Sequence, residues 1–195
     1  MNESYSVKPR RASSYSEFID SEELKERTRQ EAQRFLAALE KNMNVLIEMA
    51  SRVEEQATQY DVSAYDDFRE ELHNFRSLSI LIESRLSEIS GERKVERLQE
   101  QFDQLQALML STFIRTCMKT FFVYSAKTMM SLGTKERFLR DLSFLQEAEE
   151  RLREEAMQSR LDHTTLDDLE TAKEVLHEII EKAPEIINFA VEHAP

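Results

Sequence analysis

A stripe of basic and hydroxyl side chains lies in a stretch of the chain that has no acidic residue. Residues 104–134 contain no Asp or Glu, although the whole chain contains 38 of them. On a helix, with about 100° between successive residues, the charged side chains of this stretch share one side with a row of threonines. The stripe consists of Arg115, Lys119, Lys127, Thr112, Thr116 and Thr120. Guanidinium groups, amines and hydroxyls bind carboxylates and phosphates, so this stripe is a candidate site for a partner protein or a small anion.

The same pattern is also expected of a helix at the centre of a bundle. The other half of this helix is apolar and rich in phenylalanine and methionine. In a central helix, Arg115 and the neighbouring basic side chains would form ion pairs with acidic residues of the surrounding helices, or their charged ends would reach water. The sequence therefore leaves three interpretations open: a central helix, a face for a partner protein, and a polar cavity that holds a small anion.

Two Glu-x-x-His pairs, Glu70/His73 and Glu174/His177, have the spacing of metal ligands. In some four-helix bundles such pairs bind two metal ions together with glutamates from two further helices. Here each histidine directly follows a leucine of the expected core-facing row, and each glutamate points away from that row. Residues 104–134, in addition, supply no carboxylate. We therefore expect no metal site and interpret both pairs as solvent-facing.

Catalytic motifs are scarce. Cys117 lies on the apolar half of its helix with no histidine nearby in sequence, and burial in apolar surroundings raises the pKa of a thiol. We therefore predict a buried structural thiol. Phosphate-binding loops and the G-x-S-x-G nucleophile motif each need several glycines, and the chain has 2. The sequence predicts a protein that is not an enzyme and needs no cofactor.

Ser13 is a candidate phosphorylation site. It follows Arg10, Arg11 and Ala12, an arrangement that kinases directed to basic residues prefer. A phosphate there would offset the positive charge of the segment and weaken any electrostatic docking. The alternative is a loose segment whose basic residues contact an acidic body.

The net charge of −12 limits the classes of partner. It argues against nucleic acid, because the phosphate backbone would meet net repulsion, and it makes an anionic membrane an unfavourable partner. The first residues contain no apolar run of the kind found in signal peptides, and the single cysteine suits a reducing compartment. These features together predict a cytoplasmic protein.

The distribution of proline and glycine predicts the fold. No proline lies between Arg10 and Ala183, and the 2 glycines are Gly91 and Gly133. Proline and glycine destabilise helix interiors, so a long run without them favours long helices. Apolar residues in that run alternate at spacings of three and four, which is typical of helices in a bundle core. The chain is therefore predicted to be all-α, an elongated antiparallel bundle of four to five long helices with a flexible N-terminal arm.

Three regions are predicted along the chain. Residues 1–19 are a disordered, serine-rich basic arm, 20–183 the helical bundle, and 184–195 a short apolar helix or tail after Pro184. Capping boxes at Asp20, Ser63 and Thr165 mark helix starts. The predicted helices span 20–60, 63–90, 92–132, 134–156 and 165–183.

The function predicted from these features is protein–protein interaction by an adaptor or chaperone-like module, with another protein or with a second copy. Two alternatives remain. One is a bundle that senses a small anion or small molecule through a polar cavity along the third helix. The other is an amphipathic protein that associates with surfaces or membranes. A serine-rich start on a helical body is loosely similar to leaderless secreted effectors, which would extend this last alternative.

Removal of residues 184–195 tests whether the apolar tail is an interface. Its candidate contact residues are Ile186, Ile187, Phe189 and Val191. If they bind a second copy, the truncated chain should have a lower mass by light scattering, while its helicity by circular dichroism is retained. An unchanged mass would contradict an interface between copies at this tail.

Overall fold

The computed structural model describes residues 14–59, 61–91, 93–126, 133–162 and 164–183. These residues form helices α1 to α6 without any strand, and the prediction of an all-α bundle is confirmed. The helices are α1 Ser14–Thr58, α2 Ala64–Glu88, α3 Arg93–Ser125, α4 Thr134–Leu152, α5 Glu155–Gln158 and α6 Thr164–Lys182. The tail residues 184–195 and the candidate phosphorylation site Ser13 lie outside the described residues.

Consecutive long helices from α1 to α4 are antiparallel. In the α1–α2 hairpin, the Arg85 guanidinium lies 3.1 Å from the Glu31 carboxylate, and the Ala64 N–H donates to Gln56 at the other end. α3 lies beside α1 and runs in the same direction. α3 and α4 are antiparallel. Phe113 of α3 packs on Phe144 of α4, and Phe121, further along α3, packs on Phe138, which comes earlier in α4. α6 packs against both α3 and α4.

The middle of α3 is the centre of the core. Most of its positions from 106 to 121 are buried, and these residues cover about half of the helix surface, while the exposed positions 108, 115 and 119 lie on the opposite side. From 95 to 102 the buried face is narrower, because only Val95, Leu98 and Phe102 are buried and the residues between them are exposed. The middle of α3 is therefore covered over a wider face than its first part.

Both glycines adopt left-handed backbone conformations at chain turns. Gly91 has φ of +95° after α2, and Gly133 has φ of +86° directly before α4. Residues with a Cβ are strained there, which explains why glycine occupies these two positions. The helix before Gly133, however, ends at Ser125 and not at 132, and residues 127–132 lie outside the described residues.

None of the three predicted capping boxes caps a helix in the part of the chain that the structure describes. α1 begins at Ser14, so 14–19 are helical and Asp20 lies inside the helix. No proline or glycine interrupts 14–20, and a cap contributes only about 1 kcal/mol, so it does not determine where a helix begins. Ser63 precedes α2, but its hydroxyl contacts Gln56 and Asp61 instead of capping the helix. Thr165 lies inside α6.

Truncation of a central aromatic residue should test the core. Phe113 is 0% exposed, and its ring centroid lies 4.4 Å from that of Phe144. We expect Phe113→Ala to lower the free energy of unfolding by about 3–5 kcal/mol, because it removes buried surface and leaves a cavity. Phe122, nine residues later on the same helix and 49% exposed, is the matched control, and Phe122→Ala should cost less than about 1 kcal/mol. Urea titrations followed by circular dichroism measure both, and equal losses would contradict this assignment of the core.

Candidate functional site

The structure brings most of the basic stripe to one side of α3, facing α1. Thr112, Arg115, Thr116 and Lys119 line a cleft of about 240 Å³ together with Glu54 of α1. Thr120 belongs to the same row but is fully buried. Lys127 lies outside the described residues.

The basic groups of this cleft have acidic partners. Lys119 forms an ion pair with Glu54, and the Arg115 Nη2 lies 3.4 Å from the Asp162 carboxylate, in the segment before α6. The three threonine hydroxyls donate to backbone carbonyls one turn earlier on α3: Thr112 to Leu108, Thr116 to Thr112, and Thr120 to Thr116. These pairings are those of a central helix among acidic neighbours.

A larger groove lies between α1 and α3, closer to the start of α3. We call it the α1–α3 groove. It has a volume of about 590 Å³ and is lined on α1 by residues 33–40 and on α3 by residues 97–108. Its apolar lining consists of Leu36, Ala37, Leu98, Leu105 and Leu108. Glutamines at 33, 101 and 104 form much of the polar lining, and Leu108 is 44% exposed.

The position of α6 explains why this groove stays open. α6 and the segment before it cover the middle of α3, and Arg160 of that segment reaches back to Asp103, with 3.7 Å between the charged groups. Among the described residues, nothing covers the face of α3 that carries Leu105 and Leu108 beside α1. The first part of α3 packs on α1 and α2, so one side of it faces water.

Sequence reasoning missed this groove. Leu105 and Leu108 lie three residues apart, outside the apolar half of the helix, and neither was singled out from the sequence. Two apolar residues at helical spacing on the otherwise polar side are the signal in the sequence. They cannot by themselves distinguish leucines buried by another helix from leucines left exposed.

A buried polar cluster joins α2, α3 and α4. The Tyr65 hydroxyl lies 3.2 Å from the Cys117 sulfur and 3.3 Å from the Asp141 carboxylate, and Arg69 Nε lies 2.7 Å from the same carboxylate. Burial raises the pKa of the Tyr65 hydroxyl and of the Cys117 thiol well above their ordinary values. Both groups are therefore protonated at neutral pH, and Cys117 is buried as predicted.

Burial also raises the pKa of Asp141 to about 6. The loss of water around the carboxylate outweighs the opposing effects of the Arg69 charge and of the hydrogen bond from Tyr65. This is the one group of the cluster that titrates near neutral pH. Neither Tyr65 nor Asp141 was singled out from the sequence, because the contact joins residues 76 positions apart.

The two Glu-x-x-His pairs are exposed on the outside of α2 and α6, as predicted. The His177 ring contacts the Lys173 carbonyl of its own helix. No group of three or more His, Cys, Asp or Glu in the described part of the chain is arranged to hold a metal ion.

Replacement of Asp141 should change the pH dependence of stability. In the unfolded chain this carboxyl ionises near 3.8, whereas in the fold it ionises near about 6. The folded state thus holds an extra proton between these values, so its stability falls as the pH rises through that window. Asp141→Asn keeps a neutral side chain of similar shape. Relative to wild type, its free energy of unfolding should therefore rise by about 2 kcal/mol between about pH 4 and pH 7.

Urea titrations at several pH values measure this difference. Asp162→Asn is the matched control, because it replaces an exposed carboxylate that also pairs with an arginine. It should follow the wild-type pH dependence. A difference between Asp141→Asn and wild type that stays constant from about pH 4 to pH 7 would contradict the raised pKa.

Comparisons with known proteins complete the description. No helix among the described residues is long and apolar enough to cross a membrane. The chain matches no protein-family model, no curated protein and no solved structure.

Proposed function

We propose that this chain is a non-enzymatic protein–protein interaction module that binds an amphipathic helix of a partner protein in the α1–α3 groove. The observation that supports this proposal is the groove itself. It is open, it combines five apolar with five polar or charged lining residues, and it lies where α3 lacks the cover that α6 provides further along.

The dimensions of the groove suit a helix. The stretch of α3 from 97 to 108 is about 17 Å long, which corresponds to about three helical turns. A helix placed between α1 and α3 would present apolar side chains at every third or fourth position to Ala37, Leu105 and Leu108, the lining residues whose apolar surface is accessible. Such helix-in-groove binding is a recurring mode of peptide recognition, and its affinity comes from the apolar face.

The charge of the chain indicates the flanks of the partner helix. The net charge of the chain is −12, whereas the two charged residues that line the groove itself, Glu40 and Arg97, cancel each other. An acidic helix would be repelled during approach, whereas a helix with lysine or arginine beside its apolar face would be attracted. We therefore expect a partner helix that is apolar on one face and basic on the flanks.

Glutamates in the groove should abolish this binding. Ala37 and Leu108 are both exposed lining residues, so Ala37→Glu with Leu108→Glu places two carboxylates on the apolar surface without disturbing the core. The probe is a synthetic three-turn helix with leucine at every third or fourth position and glutamine elsewhere, so that attraction between lysines and the introduced carboxylates does not offset the loss of apolar contact. Fluorescence anisotropy should show at least about tenfold weaker binding to the double variant, because apolar contact is lost.

Leu139→Glu is the matched control, because Leu139 on α4 is also 44% exposed. It should bind the probe as the wild type does, and a scrambled peptide of the same composition should bind weakly to all three proteins. Equal affinity of the double variant and the wild type would overturn the proposal. A wild-type dimer that the double variant dissociates, measured by light scattering, would assign the groove to a second copy instead.

A further inference from the structure

A second surface of the molecule, the contact between α2 and α4, is built differently from the other helix contacts. Four arginine–carboxylate ion pairs bridge these two helices: Arg69 with Asp141, Arg76 with Glu147, Arg137 with Asp66, and Arg151 with Glu83. The backbones of α2 and α4 make few close approaches. Long polar side chains therefore bridge much of the space between these two helices.

A cavity of about 80 Å³ lies beneath these bridges, against α3. We call it the α2–α4 cavity. Met109 and Leu110 of α3 and Phe144 and Ala148 of α4 form its apolar walls, and polar groups from Gln106, Arg76 and Arg151 reach it. This space is several times what one water needs, so it admits a few waters or a small ligand.

Gln106 is the unusual residue of the cavity. It is 1% exposed, and its side-chain oxygen accepts a hydrogen bond of 3.3 Å from Arg151 Nη1. Its side-chain nitrogen, also buried, has no hydrogen-bond partner among the described residues. A buried donor without an acceptor is costly, and nearly all such groups in folded proteins are satisfied. The cavity therefore lacks an acceptor.

The polar groups around the cavity define what that acceptor is. The Gln106 amide and the guanidinium groups of Arg76 and Arg151 are donors, and a guanidinium has five N–H groups, more than its one ion pair needs. Ser79 adds no donor, because its hydroxyl already donates to the Phe75 carbonyl. Arg76 pairs with Glu147 and Arg151 with Glu83, so the charges cancel while each guanidinium keeps N–H groups that can donate to a ligand.

We propose that the α2–α4 cavity binds a short-chain monocarboxylate of the size of acetate or propionate. Its carboxylate accepts hydrogen bonds from Gln106 and Arg151, and its alkyl group packs against Met109 and Phe144. Charge-assisted hydrogen bonds from the arginine favour a carboxylate over a neutral acceptor. This site is separate from the α1–α3 groove and does not depend on the function proposed for it.

Thermal unfolding of the full chain tests the site, with sodium acetate, propionate and butyrate as ligands at constant ionic strength. A ligand that binds only the folded state raises the melting temperature with its concentration. Propionate should give a rise that saturates, while sodium chloride and the neutral isostere propionamide should not. Absence of a shift with acetate and propionate at millimolar concentrations would overturn the proposal, and so would an equal shift with propionamide.

Gln106→Leu is the decisive variant, because it removes the donor and keeps the approximate size of the side chain. Propionate affinity, measured by calorimetry, should fall at least about tenfold in it. Its own melting temperature without ligand should be equal to or above that of wild type, since an unsatisfied buried amide is removed. Gln99→Leu, on the exposed side of α3, is the control and should bind as wild type does. Undiminished binding by Gln106→Leu would place the ligand elsewhere and overturn the proposal.

Discussion

The burial of one half of the middle of α3 is the constraint on which the rest of the structure depends. From 106 to 121 most positions of this helix are buried, and an acidic side chain at one of them would lose its water. This accounts for the absence of Asp and Glu from the buried positions of this stretch. The basic residues that remain, Arg115 and Lys119, stand at exposed positions, where acidic groups of neighbouring segments reach them. The threonines between them are compatible with burial because each hydroxyl bonds to its own helix.

Asp141 shows how the bundle tolerates a buried carboxylate. The residue lies on α4 and faces Tyr65 and Cys117, where burial raises its pKa, while Arg69 supplies both a charge and a hydrogen bond. The α2–α4 contact continues in the same manner with further ion pairs at Arg76 and Arg151. Ion pairs between long side chains do not pack as densely as apolar residues. This looser packing explains the cavity that lies beneath them.

The two ends of α3 differ for a simple geometric reason. α4 and α6 have 19 residues each, whereas α3 has 33, so they cover only part of it. The covered part forms the core, and the uncovered part leaves the α1–α3 groove with Leu105 and Leu108. A helix of a partner protein bound in the groove would cover this part of α3, as α6 covers the part that follows. The proposed interaction thus continues the packing that already stabilises the bundle.

Much of the fold could be read from local patterns. The spacing of apolar residues, the lack of proline, and the glycines at 91 and 133 determine the long helices, because these features act on the backbone within a few residues. Exposure of the Glu-x-x-His pairs and burial of Cys117 follow from the same periodicity. The starts of helices were less accurate, as at Ser14, because capping preferences are weak compared with the propagation of a helix that nothing interrupts.

The candidate sites depend on contacts that no local pattern encodes. Tyr65 meets Asp141 across 76 residues, and Arg151 meets Gln106 across 45, so their roles arise only when α2, α3 and α4 pack together. The same holds for Leu108, whose exposure depends on where α6 ends its cover of α3. The sequence by itself determined the helices and the composition of their faces, since both follow from short-range physics. The tertiary structure alone decided which faces are covered, because that depends on the lengths and positions of helices far apart in the chain.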